Sequence, residues 1–208
     1  MFEFFTISMI ILLGVISPGP DFAIVSCNSL RYTRKTGVMT ALGVACGSLL
    51  HSAYCIFGLA IIISNSLLLF SIIKYIGAAY LIYLGGKGIF SQQVLIQATV
   101  EKSSQNLSLT QAFRQGLFCN LLNPKSVFFF LALFTTVIKP SMPIIVQIGY
   151  GFEITLIDSL WFSIVASLFS NKKIKILLGR FLNYVTKLFG GFLIIFGLKI
   201  ATLSFAKI

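Results

Sequence analysis

Six apolar blocks of membrane-spanning length divide the chain, and no other feature limits its fold so strongly. They run from Phe4 to Leu30, Gly37 to Ile63, Leu67 to Ile89, Thr110 to Ile138, Pro143 to Phe169 and Phe181 to Phe205. About 20 apolar residues in helical form cross the hydrocarbon core of a bilayer. An isolated strand would leave its backbone donors and acceptors unpaired in lipid, so every block is predicted to be helical. Within 208 residues this leaves no room for a sizeable soluble domain. Only 10% of the residues are charged and 57% are apolar, whereas a soluble domain carries about 25% charged residues. The mean hydropathy of +0.98 agrees. Composition therefore excludes a soluble enzyme and a DNA-binding module. The fold class is all-α, a polytopic membrane protein with six transmembrane helices in a single membrane domain, residues 1–208.

The N-terminus is not expected to be a cleaved signal peptide. Met1 to Ser8 holds Glu3 and no Lys or Arg, and the first apolar run ends in Pro18-Gly19-Pro20; a signal peptide begins basic and ends in small residues. The connections between blocks are short except for Ser91 to Ser108, which holds Glu101 and Lys102 among Gln, Ser and Asn. That loop separates a first repeat, 1–90, from a second, 110–208, with 91–109 between them.

Sixteen Lys and Arg against five acids give a net charge of +11. The basic residues fall between apolar blocks and form no continuous patch, so orientation in a bilayer explains them better than nucleic acid. Alternate connections share a face. One face receives Arg31, Arg34, Lys35, Lys87, Lys102, Arg114, Lys172, Lys173, Lys175, Arg180 and Lys187; the other receives Lys74, Lys139, Lys199 and Lys207. The positive-inside bias places the long loop in the cytoplasm and both termini outside. Each half then makes three crossings, so the second half enters from the opposite face. Related halves would form an inverted repeat, an architecture that recurs in secondary transporters.

Proline interrupts block 1 at Pro18 and Pro20 and block 4 at Pro124. Pro18 is the fifteenth residue counted from Phe4, and Pro124 the fifteenth counted from Thr110, which pairs the two positions. In Ser17-Pro18-Gly19-Pro20-Asp21 the prolines remove donors and clash with the preceding turn, and Gly19 permits a bend. Helix 1 is predicted to be two half-helices, with Asp21 placed to cap the second. Backbone of this kind at membrane depth requires surrounding protein or a wet cavity. Asn123-Pro124-Lys125 makes the matching break in helix 4. Lys125 lies about 10 residues past the cytoplasmic end, ~15 Å at 1.5 Å per residue, deeper than a lysine reaches by snorkelling, so it marks function or a buried pair. Asp21 is its candidate partner if the breaks meet.

Glu153 and Asp158 in block 5 are about 140° apart around a helix and do not share a face. Either lines a cavity or neutralises a basic neighbour. His51, beside Ser48, Ser52 and Tyr54, is either a packed histidine or a proton relay, and Glu153 is the other candidate relay. Cys27, Cys46, Cys55 and Cys119 form no C-x-x-C pair and read as packing residues. No metal and no cofactor is expected. Gly43-x-x-x-Gly47, Gly77-Ala78-Ala79 and Gly190-Gly191 with Gly197 are expected to admit close helix contacts.

These residues together resemble the LysE/RhtB (lysine exporter, homoserine and threonine resistance) family. The resemblance rests on Ser17-Pro18-Gly19-Pro20-Asp21-Phe22, Arg34-x-x-Gly37 and Gly43-x-x-x-Gly47. It continues in Gly77-Ala78-Ala79-Tyr80-Leu81-x-Tyr83-Leu84-Gly85, Phe113-x-x-Gly116, Asn123-Pro124-Lys125 and Trp161-Phe162. Block 4 continues as Phe134-Thr135-Thr136 where relatives often have Pro-Gln-Phe. The resemblance implies a secondary transporter that exports amino acids or related small metabolites from the cytoplasm across the cell (inner) membrane, by exchange with protons or another ion.

The candidate transport residues are Asp21, Asn123, Lys125 and Asp158, at helix breaks made by Pro18, Gly19, Pro20 and Pro124. Half-helix N-termini and Lys125 would attract a substrate carboxylate, while Asp21 would bind the ammonium or carry the coupled proton. The partners are then a small-molecule substrate and the lipid bilayer, with no nucleic acid; a homo-oligomer is left open. A membrane enzyme would need a nucleophile with its base, a metal cluster or paired carboxylates, which one histidine and scattered acids do not provide. A cation or metal-ion exporter and a non-transporting scaffold subunit are the remaining alternatives.

Overall fold

The computed structural model describes residues 2–90, 107–136, 142–169 and 172–202. These hold eight helices: α1 (Phe2–Ile16), α2 (Pro20–Arg31), α3 (Arg34–Asn65), α4 (Leu67–Phe90), α5 (Leu109–Leu121), α6 (Pro124–Thr136), α7 (Ile144–Phe169) and α8 (Lys172–Thr202). Most of the expected long loop lies outside the described residues. Blocks 1 and 4 are each broken, as the prolines require. The first bends by 52° between α1 and α2, the second by 58° between α5 and α6. By length and apolarity, α3, α4 and α7 each suffice to cross a membrane, and each bent pair can make one further span.

The start of α8 corrects one expectation. The segment from Ser170 to Arg180 reads as a loop by hydropathy, yet the helix already runs from Lys172. Lys, Ile, Leu and Arg are good or adequate helix formers, so helix continues where apolarity ends. Thr186 meets α4 at Gly88, close to the end of that helix. The basic stretch from Lys172 to Val185 therefore precedes the contact with α4.

Chain direction follows from the close contacts. Gly197 lies against Ala78, Gly190 against Gly85 and Thr186 beside Gly88, so α4 and α8 run antiparallel. On α3 and α5, Gly43 lies against Phe113 and Leu117, Gly116 against Thr40 and Val44, and Gly47 against Asn120, so these two run parallel. A Cβ at Gly43 would stand 2.0 Å from the Phe113 carbonyl oxygen, and one at Gly116 equally close to that of Thr40. Only glycine admits this crossing, the close approach that small residues provide in membrane helices. Gly77 and Gly191 do not serve that purpose: a Cβ at either would meet nothing within 4 Å.

α3 and α7 form the centre, with α2, α5 and α6 packed around α3. The main core joins Val25, Val44, Leu133, Ile154 and Phe169, and a second cluster joins Leu81, Leu193 and Ile200 across α4 and α8. Meanwhile Phe57, Tyr83, Phe152, Leu156, Leu188 and Ile195 are each more than half exposed. A surface so apolar suits lipid, not water.

Candidate functional site

Both breaks open their second half in the same way. Gly19 is the N-cap of α2, with Pro20 as its first residue and Asp21 as its second. Asn123 precedes α6, with Pro124 first and Lys125 second, and the Asn123 Oδ1 accepts from the Lys125 backbone N–H at 3.0 Å. Proline is favoured at this position because its missing N–H has no partner in a first turn anyway. The structural counterpart of Pro124 is therefore Pro20, not Pro18 as the counting pairs them. Asp21 and Lys125, of opposite charge, then hold equivalent positions.

The two breaks meet. Asp21 is buried, and its carboxylate makes its hydrogen bonds to the other broken span and none to the N–H groups of α2, contrary to the capping role expected of it. Its Oδ2 accepts instead from Asn120 Nδ2 at 3.0 Å, Asn123 Nδ2 at 3.0 Å and Ser126 Oγ at 3.1 Å, all from the second broken span. In the other direction, Lys125 Nζ donates to the Ser17 carbonyl oxygen at 2.7 Å. Ser17 follows the last residue of α1, where helix carbonyls lack partners and the dipole is negative. The direct Asp21–Lys125 pair considered from the sequence is thus replaced by two crossed anchors. The Lys125 ammonium also stands 5.3 Å from the centre of the Phe189 ring, a cation–π distance.

Asp21, Asn123, Lys125 and Asp158 line one cavity, together with Ser17, Gly19, Ser48, Asn120 and Ser126. Phe129, Phe130, Ile154 and Phe162 form its apolar wall. Asp158, from α7, is buried and accepts a hydrogen bond from the Ser48 hydroxyl of α3. Space for the centres of water-sized molecules is about 40 Å³, room for about three waters. The oxygens Asp21 Oδ1 and Asn120 Oδ1 are buried without a partner. A buried acceptor left unpaired is costly, and Asp21 Oδ1 offers a place for a donor cargo.

Of the other sequence candidates, Pro18, Pro20 and Pro124 shape the breaks without lining the cavity, and Glu153 stands on another face of α7, outside it. His51 is buried, stacks on Phe130 and bonds the Asn120 carbonyl oxygen through Nε2 at 3.1 Å; its Nδ1 bonds the Tyr54 hydroxyl. Both ring nitrogens are engaged, and the ring tethers the end of α5. Asn120 and Ser126 are site residues that reading the sequence missed. Their signal was available: with Asn123 they recur every third residue through the break, a spacing that shares one helix face.

Known proteins resemble the chain over most of its length. The chain is 33% identical over 192 residues to the "Uncharacterized membrane protein YrhP" of Bacillus subtilis (strain 168), covering 89% of this chain and 91% of that one. It is 33% identical over 178 residues to the "Threonine efflux protein" of Salmonella typhimurium, covering 84% and 85%. A third relative, the "Threonine efflux protein" of Escherichia coli (strain K12), is 30% identical over 171 residues, covering 80% and 82%. No solved structure matches it. The family model "LysE type translocator" matches residues 12–204, nearly the whole chain and both of its breaks, so the chain belongs to the LysE type translocator family.

Proposed function

We propose that the chain exports amino acids from the cytoplasm, by alternating access around the cavity between the two broken spans. The observation that carries this reading is the pairing of opposite charges, Asp21 and Lys125, at equivalent positions of two interrupted helices that share one buried polar space. An amino acid is itself a pair of opposite charges. Its carboxylate would dock on Lys125, and its ammonium on the unpartnered Asp21 Oδ1, each as a charge-assisted hydrogen bond. Asn120, Asn123 and Ser126 orient Asp21 for this by holding its other oxygen. Space for about three waters is too little for an amino acid, so the walls separate to admit cargo, which is the opening and closing that alternating access needs. Coupling is to a proton entering as the cargo leaves. The reading is of a carrier, because the cavity positions opposite charges as recognition of an amino acid requires.

The proposed topology is six crossings in the cell membrane, as two inverted three-helix repeats, 1–90 and 110–208, with both termini outside. Three observations support it: the matching breaks, the parallel course of α3 and α5, and the antiparallel course of α4 and α8. Threonine is the first substrate to test, since two of the relatives carry that name. Purified protein in liposomes loaded with L-threonine should take up labelled L-threonine by counterflow. Absence of counterflow with L-threonine and with a panel of the other proteinogenic amino acids would reject amino-acid transport.

A further inference from the structure

The cavity holds two carboxylates and one ammonium: Asp21 from α2, Asp158 from α7 and Lys125 from α6. With all three ionised it carries one uncompensated negative charge, which is expensive away from water. A zwitterionic cargo brings no net charge and cannot cancel it. A proton can.

The two carboxylates differ in what surrounds them. Two of the three donors on Asp21 Oδ2 are the amide nitrogens of Asn120 and Asn123, and amide N–H₂ groups donate only. They hold Oδ2 as an acceptor, which leaves Oδ1 as the oxygen that faces the cargo's ammonium. The partner of Asp158 is the Ser48 hydroxyl, which donates to a carboxylate and turns to accept from a carboxylic acid. Ser48 therefore satisfies Asp158 in both of its states. Among the described residues no other charged group lines the cavity: His51 of α3 is turned to Asn120 and Tyr54, Glu153 stands on another face of α7, Lys74 of α4 is buried outside the lining, and Lys187 and Lys199 of α8 are exposed.

We propose that Asp158, with Ser48 as its two-way hydroxyl partner, is the site of the coupled proton, while Asp21 stays a carboxylate and receives the cargo's ammonium. This rests on the amino-acid export reading above. A proton from the outer solution adds to a carboxylate oxygen of Asp158 and turns the Ser48 hydroxyl from donor to acceptor. On the inner side it leaves to water and the hydroxyl turns back, with no other bond made or broken.

The test uses the full chain in liposomes, with L-threonine or whichever amino acid the wild type exchanges. Two modes are read: counterflow without a pH gradient, and accumulation driven by one. Asp158→Asn should lose at least tenfold in gradient-driven accumulation while counterflow stays measurable and becomes insensitive to pH. Ser48→Ala should shift the pH midpoint of driven transport, and this decides the matter if Asp158→Asn fails to fold. Driven accumulation persisting in Asp158→Asn overturns the proposal, as does loss of both modes in a correctly inserted variant, or an unshifted midpoint in Ser48→Ala. A silent wild type would instead remove the transport reading, and this assignment with it.

Discussion

At the scale of single residues, Asp21 and Lys125 each find a partner on the opposite broken span, while Asp21 Oδ1 is left open. Replacing Asp21 with Asn removes the anion but preserves shape, so the loss isolates the charge. A hydrogen bond to a charged group contributes about 1.5–3 kcal/mol, which is roughly 10- to 150-fold in affinity. Asp21→Asn should therefore raise the half-saturating L-threonine concentration at least tenfold, with membrane insertion unchanged on blots of the membrane fraction. Lys125→Met, which keeps an unbranched apolar stem over Phe189, should do the same; wild-type counterflow from either variant would remove that residue from cargo binding. The charged members of the site were legible in the sequence because a charge inside an apolar block is costly and marks function or a buried pair, although Glu153, singled out in the same way, lies outside the cavity. Asn120 and Ser126 were not, since neutral polar side chains are tolerated in membrane helices on many faces. The cap expected of Asp21 failed for a related reason: local reading assigns a side chain to its own helix, whereas here the three donors of the other span outbid the two or three N–H groups of α2.

At the scale of elements, the breaks and the glycine crossing decide the geometry. Asn123 does two things at once, with its Oδ1 capping α6 and its Nδ2 holding Asp21, and substitutions can separate them. Asn123→Ala loses both, with about 1 kcal/mol of helix stability for the cap. Asn123→Asp keeps the cap but sets a second carboxylate against Asp21, so it should fold better than Asn123→Ala in detergent and yet transport no better. Thermal unfolding and counterflow, measured on both variants, check the separation. The glycines offer a sharper contrast. A methyl at Gly43 or Gly116 overpacks the α3–α5 crossing, at about 1–3 kcal/mol, and should lower Tm by about 2–12 °C. Gly77→Ala and Gly191→Ala enter open space and should leave Tm unchanged or slightly raised, because alanine favours helix. Sequence placed all four on helices but could not tell which touch, because a small residue advertises the room it leaves and not the neighbour that uses it. The early start of α8 escaped for a different reason: hydropathy reports the length of the lipid-facing stretch, while backbone hydrogen bonds carry the helix past it.

At the scale of the whole molecule, the number of crossings fixes which side each end lies on. Among the described residues three unbroken helices and two bent pairs are long and apolar enough to span, and a total of five would put the termini on opposite faces. A sixth, through α8, would put them on the same face. α8 has 31 residues, about 46 Å at 1.5 Å per residue, and it lies antiparallel along α4 from Thr186 to Gly197. A helix that accompanies a membrane-crossing neighbour over that length shares its depth in the bilayer, and the stretch from Lys172 to Val185 then emerges on the face where α4 ends. Its Lys172, Lys173, Lys175 and Arg180 would join Lys87 on one side, as the positive-inside bias favours. Two reporters decide the point together. An enzyme active only outside the cytoplasm should be active when fused after Ile208, and a fluorescent protein that matures only in the cytoplasm should glow when inserted between Ser91 and Ser108. A silent C-terminal fusion with a glowing loop insertion would mean that α8 does not cross. The second half would then lack its third span, and the inverted repeat that brings Asp21 and Lys125 into equivalent positions would have to be given up.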